Sequence, residues 1–423
     1  MSFVEGAEKP LPRRVAVFGA GKSGSAAIRL CQHLGISCQL FDQDSKNTEC
    51  YTTFGEGELS AFDAFVFSPG FAASHPWRIL CQESDRPCFG ECGFAASFWR
   101  GPLLGVTGTN GKTSVTTLLT DALNRSGLKA IAVGNVGRPL SEVCIENKDS
   151  ESIWAVCELS SFQAELPRGL LLDGLIWTNF AEDHLDRYNS MEEYLQAKAK
   201  LLDCLKPGAP AVLGSSVPLE SQPESRAGHW QTDLPINSIF SSPHQNENFQ
   251  LIARIWRALE LPEPALLSAA SSFQTLPHRL QKVAQINGVD FWNDSKATNY
   301  HAALAAVASM ESPIYWIGGG RSKGGDIRSF ASDLSKGISA AYLYGEVGAK
   351  EAFHFSASMD RVSTYSSLEE AVKAASVDAI AAAPASVLLS PGFSSFDLFS
   401  SYEQRGECFT STVLSLKQSS LVE

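Results

Sequence analysis

The chain has 423 residues, 44% of them hydrophobic and 19% charged, which excludes wholesale disorder. At roughly 100–200 residues per domain, three domains are the central expectation. A formal net charge of −12 excludes broad binding to nucleic acid or to an anionic membrane, so an anionic ligand must be held by a few local cations.

The first segment, taken as residues 1–96, opens with the continuous apolar run Val15 to Phe18. Gly19-x-Gly21-x-x-Gly24 follows at once, and then a helical pattern through Leu30 and Leu34. "SCQLFDQD" supplies a second strand ending at Asp42, and "AFDAFVFSPG" a third that runs into Ser68-Pro69-Gly70. This order of strand, glycine turn and helix predicts a Rossmann-like nucleotide-binding domain, whose backbone N–H groups at the helix start can meet a phosphate. A nicotinamide cofactor, another phosphate-bearing ligand, and glycines needed only for a tight turn all fit the pattern.

The second segment, 97–275, carries "VTGTNGKTS" from Val106 to Ser114, between a predicted strand and an amphipathic helix. That is the context of a phosphate-binding loop, in which glycines open the backbone to phosphates, Lys112 reaches the terminal phosphates and the Thr113 hydroxyl can hold Mg²⁺. Two further apolar runs, "IWAVCEL" and "GLIWTNF", end near Glu158 and ahead of His184, where side chains gather beyond strand ends. Lys198 and Lys200 fall on a helix predicted to start after Asn189-Ser190. The stretch 214–248 is polar and reads as loops, with no chemistry assigned before His244.

The third segment, 276–423, repeats strands that run into Gly, Ser, Asp or Lys clusters: "VDFWNDSKATN", "PIYWIGGGRSKGGD", "AAYLYG" and "SVLLSPGFSSFD", with helical stretches such as "SLEEAVKAA" between them. A second Rossmann-like α/β domain is the economical reading, which makes the whole an α/β protein of three domains with a P-loop ATPase-like centre. No run of about 18 uncharged apolar residues and no basic-then-apolar leader interrupts this plan, so a cytoplasmic protein without a membrane partner is expected. Ten cysteines without a C-x-x-C pair predict neither a zinc site nor a disulfide framework.

"VTGTNGKTS", "ELSSFQ", "NFAEDHLDRY" and "QAKAK" together resemble the Mur ligases of peptidoglycan synthesis, in which a valine or isoleucine normally opens the loop. "LPHR", "NDSKATN", "GGRSKGGD" and "LLSPGFSSFDLFSSYEQRG" resemble the family members that add D-glutamate. The resemblance runs from about Val15 to Phe409 and implies an ATP-dependent ligase joining D-glutamate to UDP-N-acetylmuramoyl-L-alanine through an acyl phosphate, as a monomer and without nucleic acid. Another amino acid, or a folylpolyglutamate-type ligase, is the alternative within the superfamily, and a nicotinamide-dependent oxidoreductase the alternative outside it.

By the same resemblance, ATP would be held by Gly108, Thr109, Asn110, Gly111, Lys112, Thr113 and Ser114, with Asn248 near the adenine, Arg279 and Lys296 near the phosphates and Asp294 at the ribose. Two Mg²⁺ ions would be held by Thr113 and Glu158, and by His184 with Lys198 as a carbamate. The carbamate exchanges a repelled ammonium for an anionic oxygen ligand. Lys112, Glu158, His184 and Lys198 would be the catalytic set. The UDP substrate would lie along Gly21, Lys22, Ser23, Asp42, Gln43, Ser68, Gly70, Asn135 and His184. D-Glutamate would meet Thr298, Lys323, Ser395, Phe396 and Tyr402. Two departures stand out. Gln245 replaces the asparagine of the family's H-N-x-x-N, and Tyr402 replaces the phenylalanine before "EQRG".

Overall fold

The computed structural model describes residues 12–44, 50–147, 150–219, 238, 240, 243–274, 276–310 and 313–419. These residues build three sheets. The first is parallel, with β1 (Arg14–Phe18), β2 (Ser37–Phe41), β3 (Ala64–Phe67) and β4 (Cys88–Gly90) in the order β2-β1-β3-β4. Val15 to Phe18 are fully buried, which explains their uninterrupted apolar run, because a central parallel strand is covered on both faces. Val15 and Val17 share one cluster with Ala27 and Leu30 of the helix Lys22–His33. Phe18 faces the other way and stacks on Phe67 with centroids 4.4 Å apart. Gly24 lets that helix cross close to the turn, since a Cβ there would stand 1.8 Å from the Gly19 carbonyl oxygen.

The second sheet is also parallel: β5 (Leu103–Thr107), β6 (Lys129–Gly134), β7 (Ile153–Glu158), β8 (Gly174–Trp177) and β9 (Ala211–Leu213), in the order β6-β7-β5-β8-β9. The strand order reverses beside β5, so the C-terminal end of β5 opens into the crevice where ligands of such sheets gather. The first two sheets belong to one compact unit, made of the described residues within 1–180, 192–234 and 247–271.

The second compact unit takes the described residues within 181–191, 235–246 and 272–423. Its sheet has β10 (Gln281–Ile286), β11 (Val289–Asn293), β12 (Ile314–Gly319), β13 (Ala340–Tyr344), β14 (Val362–Tyr365) and β15 (Ala385–Leu389) in the order β10-β11-β15-β12-β13-β14. Only β10 runs antiparallel to its neighbour. One face carries Phe291, Tyr342 and Phe409, and the other Trp316, Phe330, Phe355 and Phe393.

The α/β class and its three sheets follow the apolar runs of the sequence. β4, β6, β9, β10 and β14 are additions that the runs did not separate. Within the polar stretch 214–248, residues 220–237, 239, 241 and 242 lie outside the described residues. A helix, Pro243–Ala258, begins there and buries Phe249, Ile252 and Trp256. All ten cysteines are free thiols. Among the described residues, no helix is long and apolar enough to cross a membrane.

Candidate functional site

The loop after β5 wraps the start of the helix Lys112–Arg125, whose N-cap, Gly111, has φ 81° and offers no side-chain cap. A helix start without a side-chain cap is the kind of place that suits an incoming anion. Gly108 has φ 142°, and a Cβ there would meet the Thr178 hydroxyl at 1.9 Å, so no other residue fits the loop's first bend. Thr178 and Asn179 brace the loop: the Thr178 hydroxyl donates to Asn110 O at 2.6 Å, Asn179 Nδ2 donates to the same oxygen, and Asn110 N donates to Asn179 Oδ1. The Lys112 ammonium folds over the loop onto the Gly108 and Thr109 carbonyls at 2.8 and 2.7 Å. Asn248, buried, sets its amide against Gly111, at the loop itself.

Glu158 ends β7, the strand beside β5, and is 2% exposed. Asn135 Nδ2 donates to its Oε1 at 2.8 Å, and Asn135 N donates to the Glu158 carbonyl. Oε2 is buried and has no hydrogen-bond partner. A buried carboxylate with one oxygen unsatisfied is costly unless a cation completes it, so the donor set fits a hard divalent ion such as Mg²⁺. Among the described residues no three His, Cys, Asp or Glu side chains cluster as a metal cage of their own. That is consistent with an ion that takes most of its ligands from phosphate and water.

Of the two candidate lysines, Lys198 is buried. Its Nζ donates to Gly108 O at 2.9 Å and lies 4.9 Å from the centre of the Tyr194 ring. Lys200 instead donates to the Glu165 carbonyl. A carbamate on Lys198 would keep one N–H for Gly108 while adding an anionic head. The Tyr194 hydroxyl meets Thr109 Oγ1 at 3.2 Å.

A cleft of ≈ 430 Å³ opens at the ends of β1 and β3, lined by Gly19, Gly21, Lys22, Ser23, Asp42, Gln43, Ser68, Gly70, Phe71 and His75 among others. The helix start at Gly21 again lacks a side-chain cap. Asp42 turns its carboxylate inward: Oδ2 accepts from Ala20 N at 2.7 Å and Oδ1 from Asp44 N, so it orders the glycine turn.

In the second unit, Lys323 Nζ bonds Asp183 Oδ1 at 2.8 Å and Thr298 Oγ1 at 3.3 Å, and Asn299 Nδ2 donates to Asp183 Oδ2. Burial pushes the Asp183 carboxyl up. The Lys323 ammonium, His184 and the two hydrogen bonds outweigh this and hold it at about 2. The small cavity beside them has room for about one water (≈ 10 Å³). His184 adopts the left-handed conformation (φ 58°), with its N–H on Asp183 Oδ1 and Nε2 3.6 Å from Asp183 Oδ2. Ser395 is buried and Phe396 is 64% exposed; neither they nor Tyr402 line this cavity. Tyr402 instead carries the Lys296 ammonium 3.8 Å over its ring.

Arg279 sits between two left-handed residues, His278 (φ 61°) and Leu280 (φ 46°). Leucine rarely takes that conformation, and Leu280 is held there by its N–H on Asp294 Oδ1. Asp294 Oδ2 accepts from the Ser390 hydroxyl, and burial pushes the Asp294 carboxyl up to about 7. Asp183, Asn299, Thr178, Asn179 and Tyr194 are the site residues that sequence reasoning left unassigned. Thr178, Asn179, Asp183 and Asn299 lie inside quoted stretches and Tyr194 beside one, whereas the partners that give them a place are distant in the chain.

The Mur ligase middle domain matches residues 106–235, and the Mur ligase glutamate ligase domain matches 278–393. The UDP-N-acetylmuramoylalanine–D-glutamate ligase of Protochlamydia amoebophila is 32% identical over 434 residues, covering 94% of this chain and 97% of that protein. The enzyme of that name from Gloeobacter violaceus is also 32% identical, covering 95% and 99%. Among solved structures, MurF from Acinetobacter baumannii superposes with a TM-score of 0.59 at 13% identity, covering 95% of this chain and 93% of that one. MurC from Thermotoga maritima gives 0.57 at 15%, covering 96% and 99%. At such identities the structures speak for the fold.

Proposed function

Because the chain belongs to the Mur ligase family, we propose that it is an ATP-dependent carboxylate–amine ligase of peptidoglycan precursor synthesis in the cytoplasm. It joins D-glutamate to UDP-N-acetylmuramoyl-L-alanine. The alanine carboxylate attacks the γ-phosphorus of ATP and ADP leaves. The D-glutamate amine, having lost its proton, then attacks the acyl phosphate and releases phosphate.

The observation that carries this reading is Glu158, a buried carboxylate with one oxygen held by Asn135 and the other unpartnered, on the strand next to the phosphate loop. A carboxylate approaching a triphosphate is anion against anion in a partly dry site, where repulsion is poorly screened. Two Mg²⁺ ions would supply the neutralising charge, with Thr113 and Glu158 as protein ligands of one and His184 and a Lys198 carbamate as those of the other. The uncapped helix start and Lys112 receive the phosphates. Gly21 to Ser23 offer the same kind of helix start to the UDP diphosphate. Asn135, tied to Glu158 through both backbone and side chain, is suited to hold the sugar end. Lys323 and Thr298 offer a cation and a hydroxyl to the carboxylates of D-glutamate.

The test is isotopic. With UDP-N-acetylmuramoyl-L-alanine labelled with ¹⁸O in its carboxylate, ATP, Mg²⁺ and D-glutamate, one ¹⁸O should appear in the released phosphate for each dipeptide formed. Dipeptide without ¹⁸O in phosphate would overturn the acyl-phosphate route, and no dipeptide would overturn the assignment.

A further inference from the structure

Arg78 and Glu165 form an ion pair outside every site described above. Arg78 lies on the helix Pro76–Gln82 that follows the lip of the UDP cleft, and Glu165 caps the C-terminal end of the short helix Ser161–Ala164. Nη1 meets Glu165 Oε2 at 2.5 Å, with side chains only 4% and 5% exposed. The same Nη1 donates to the Phe71 carbonyl at 2.9 Å, while Arg78 Nε is buried without a partner.

Such a pair is a poor way to gain stability, because taking two charges out of water costs about as much as their attraction returns. An apolar pair of similar volume would serve a core at least as well, and the unpartnered Nε adds to the cost. What the guanidinium does that an apolar group cannot is hold a carbonyl. Phe71 closes the loop Ser68–Phe71 and lines the cleft, with its ring 4.6 Å from that of His75 on the same wall. Glu165 fixes the arginine from the other side. Its segment starts at Glu158 and passes through the capping box of Ser160 and Gln163, so it is itself rigidly held.

We propose that Arg78 and Glu165 are a positioning pair for the UDP substrate, in which Glu165 aims the Arg78 guanidinium at the Phe71 carbonyl and so sets the lip of the first cleft. The pair also anchors that lip to the segment bearing Glu158. The inference rests on the reading of the cleft as the UDP site.

The test compares binding of two probes, UDP and Mg-ADP, by calorimetry on the full chain. The double variant Arg78→Met with Glu165→Leu removes both charges together and should keep its melting temperature. UDP binding should weaken about tenfold, as for loss of a charge-assisted hydrogen bond, with Mg-ADP binding within a factor of about two. Arg78→Lys keeps the charge but loses the reach and the rigid guanidinium plane that set Nη1 between the two acceptors, and should show the same split; it decides the matter if the double variant does not fold. Unchanged UDP binding, or equal weakening of both probes, would overturn the positioning role. Failure of the unaltered chain to bind UDP would overturn the reading of the cleft, and the pair's role with it.

Discussion

Replacing Asp183 by asparagine tests the electrostatics of the second unit. The carboxyl is 9% exposed and held at about 2, against an ordinary value of 3.8, with Lys323 at 2.8 Å. At about 1.4 kcal/mol per tenfold change, that difference makes the ionised form worth about 2 kcal/mol to the folded state at neutral pH. Asparagine forfeits this and leaves a mostly buried ammonium without its counter-charge, so Asp183→Asn should cost about 2–3 kcal/mol at pH 7. The pH dependence has a definite sign. A carboxyl lowered by folding contributes fully above its unfolded value and loses its contribution as pH falls through its folded value. The gap between the unaltered chain and the variant should therefore be constant from pH 7 to about pH 5 and narrow from about pH 4 toward pH 2. Hydrogen exchange of the β12 amides at pH 7, 5 and 3 reports this unit separately from the other. A gap under about 0.5 kcal/mol at pH 7, or one that does not narrow with acid, would refute the reasoning.

Glu158→Gln keeps an acceptor for Asn135 and removes the unpartnered charge, so the melting temperature should hold or rise while turnover falls by about a thousandfold or more. Near-normal turnover would remove Glu158 from the metal site. Lys198→Ala should lose most activity and regain part of it with a small added carboxylic acid; full activity without the acid would exclude a carbamate. Gly24→Ala drives a Cβ to 1.8 Å from the Gly19 carbonyl, so it should destabilise the first unit by about 2 kcal/mol or more and weaken UDP binding. A variant with an unchanged melting temperature would show that the helix can move away.

The strands most directly legible in the sequence were those buried on both faces, such as β1, β7 and β12, where an apolar run is a direct imprint of the environment. β10 alternates between exposed and buried residues at a sheet edge, and β9 has only three residues, so neither leaves such a run. The phosphate loop was legible because its glycines answer to local geometry at Gly108 and Gly111. Asp183 was not, because its importance depends on Lys323, 140 residues away. Asp42 shows the opposite limit. Its place after β2 and beside the cleft is legible in the sequence, but that its oxygens also order the glycine turn through the backbone N–H groups of Ala20 and Asp44 is a fact that only the fold of the loop reveals. Lys198 and Lys200 look alike in "QAKAK", and only the packing of their helix sends one to Gly108 and the other to Glu165.

The central claim is that the chain makes an amide bond to D-glutamate, and the amino-acid dependence of phosphate release tests it most directly. With ATP, Mg²⁺ and UDP-N-acetylmuramoyl-L-alanine held constant, D-glutamate, L-glutamate, L-alanine, meso-diaminopimelate and L-lysine are supplied in turn. Release with D-glutamate alone, matched by the mass gain of one glutamyl residue on the nucleotide substrate, is the result predicted. Release with a different amino acid, or with none of the five, would contradict it.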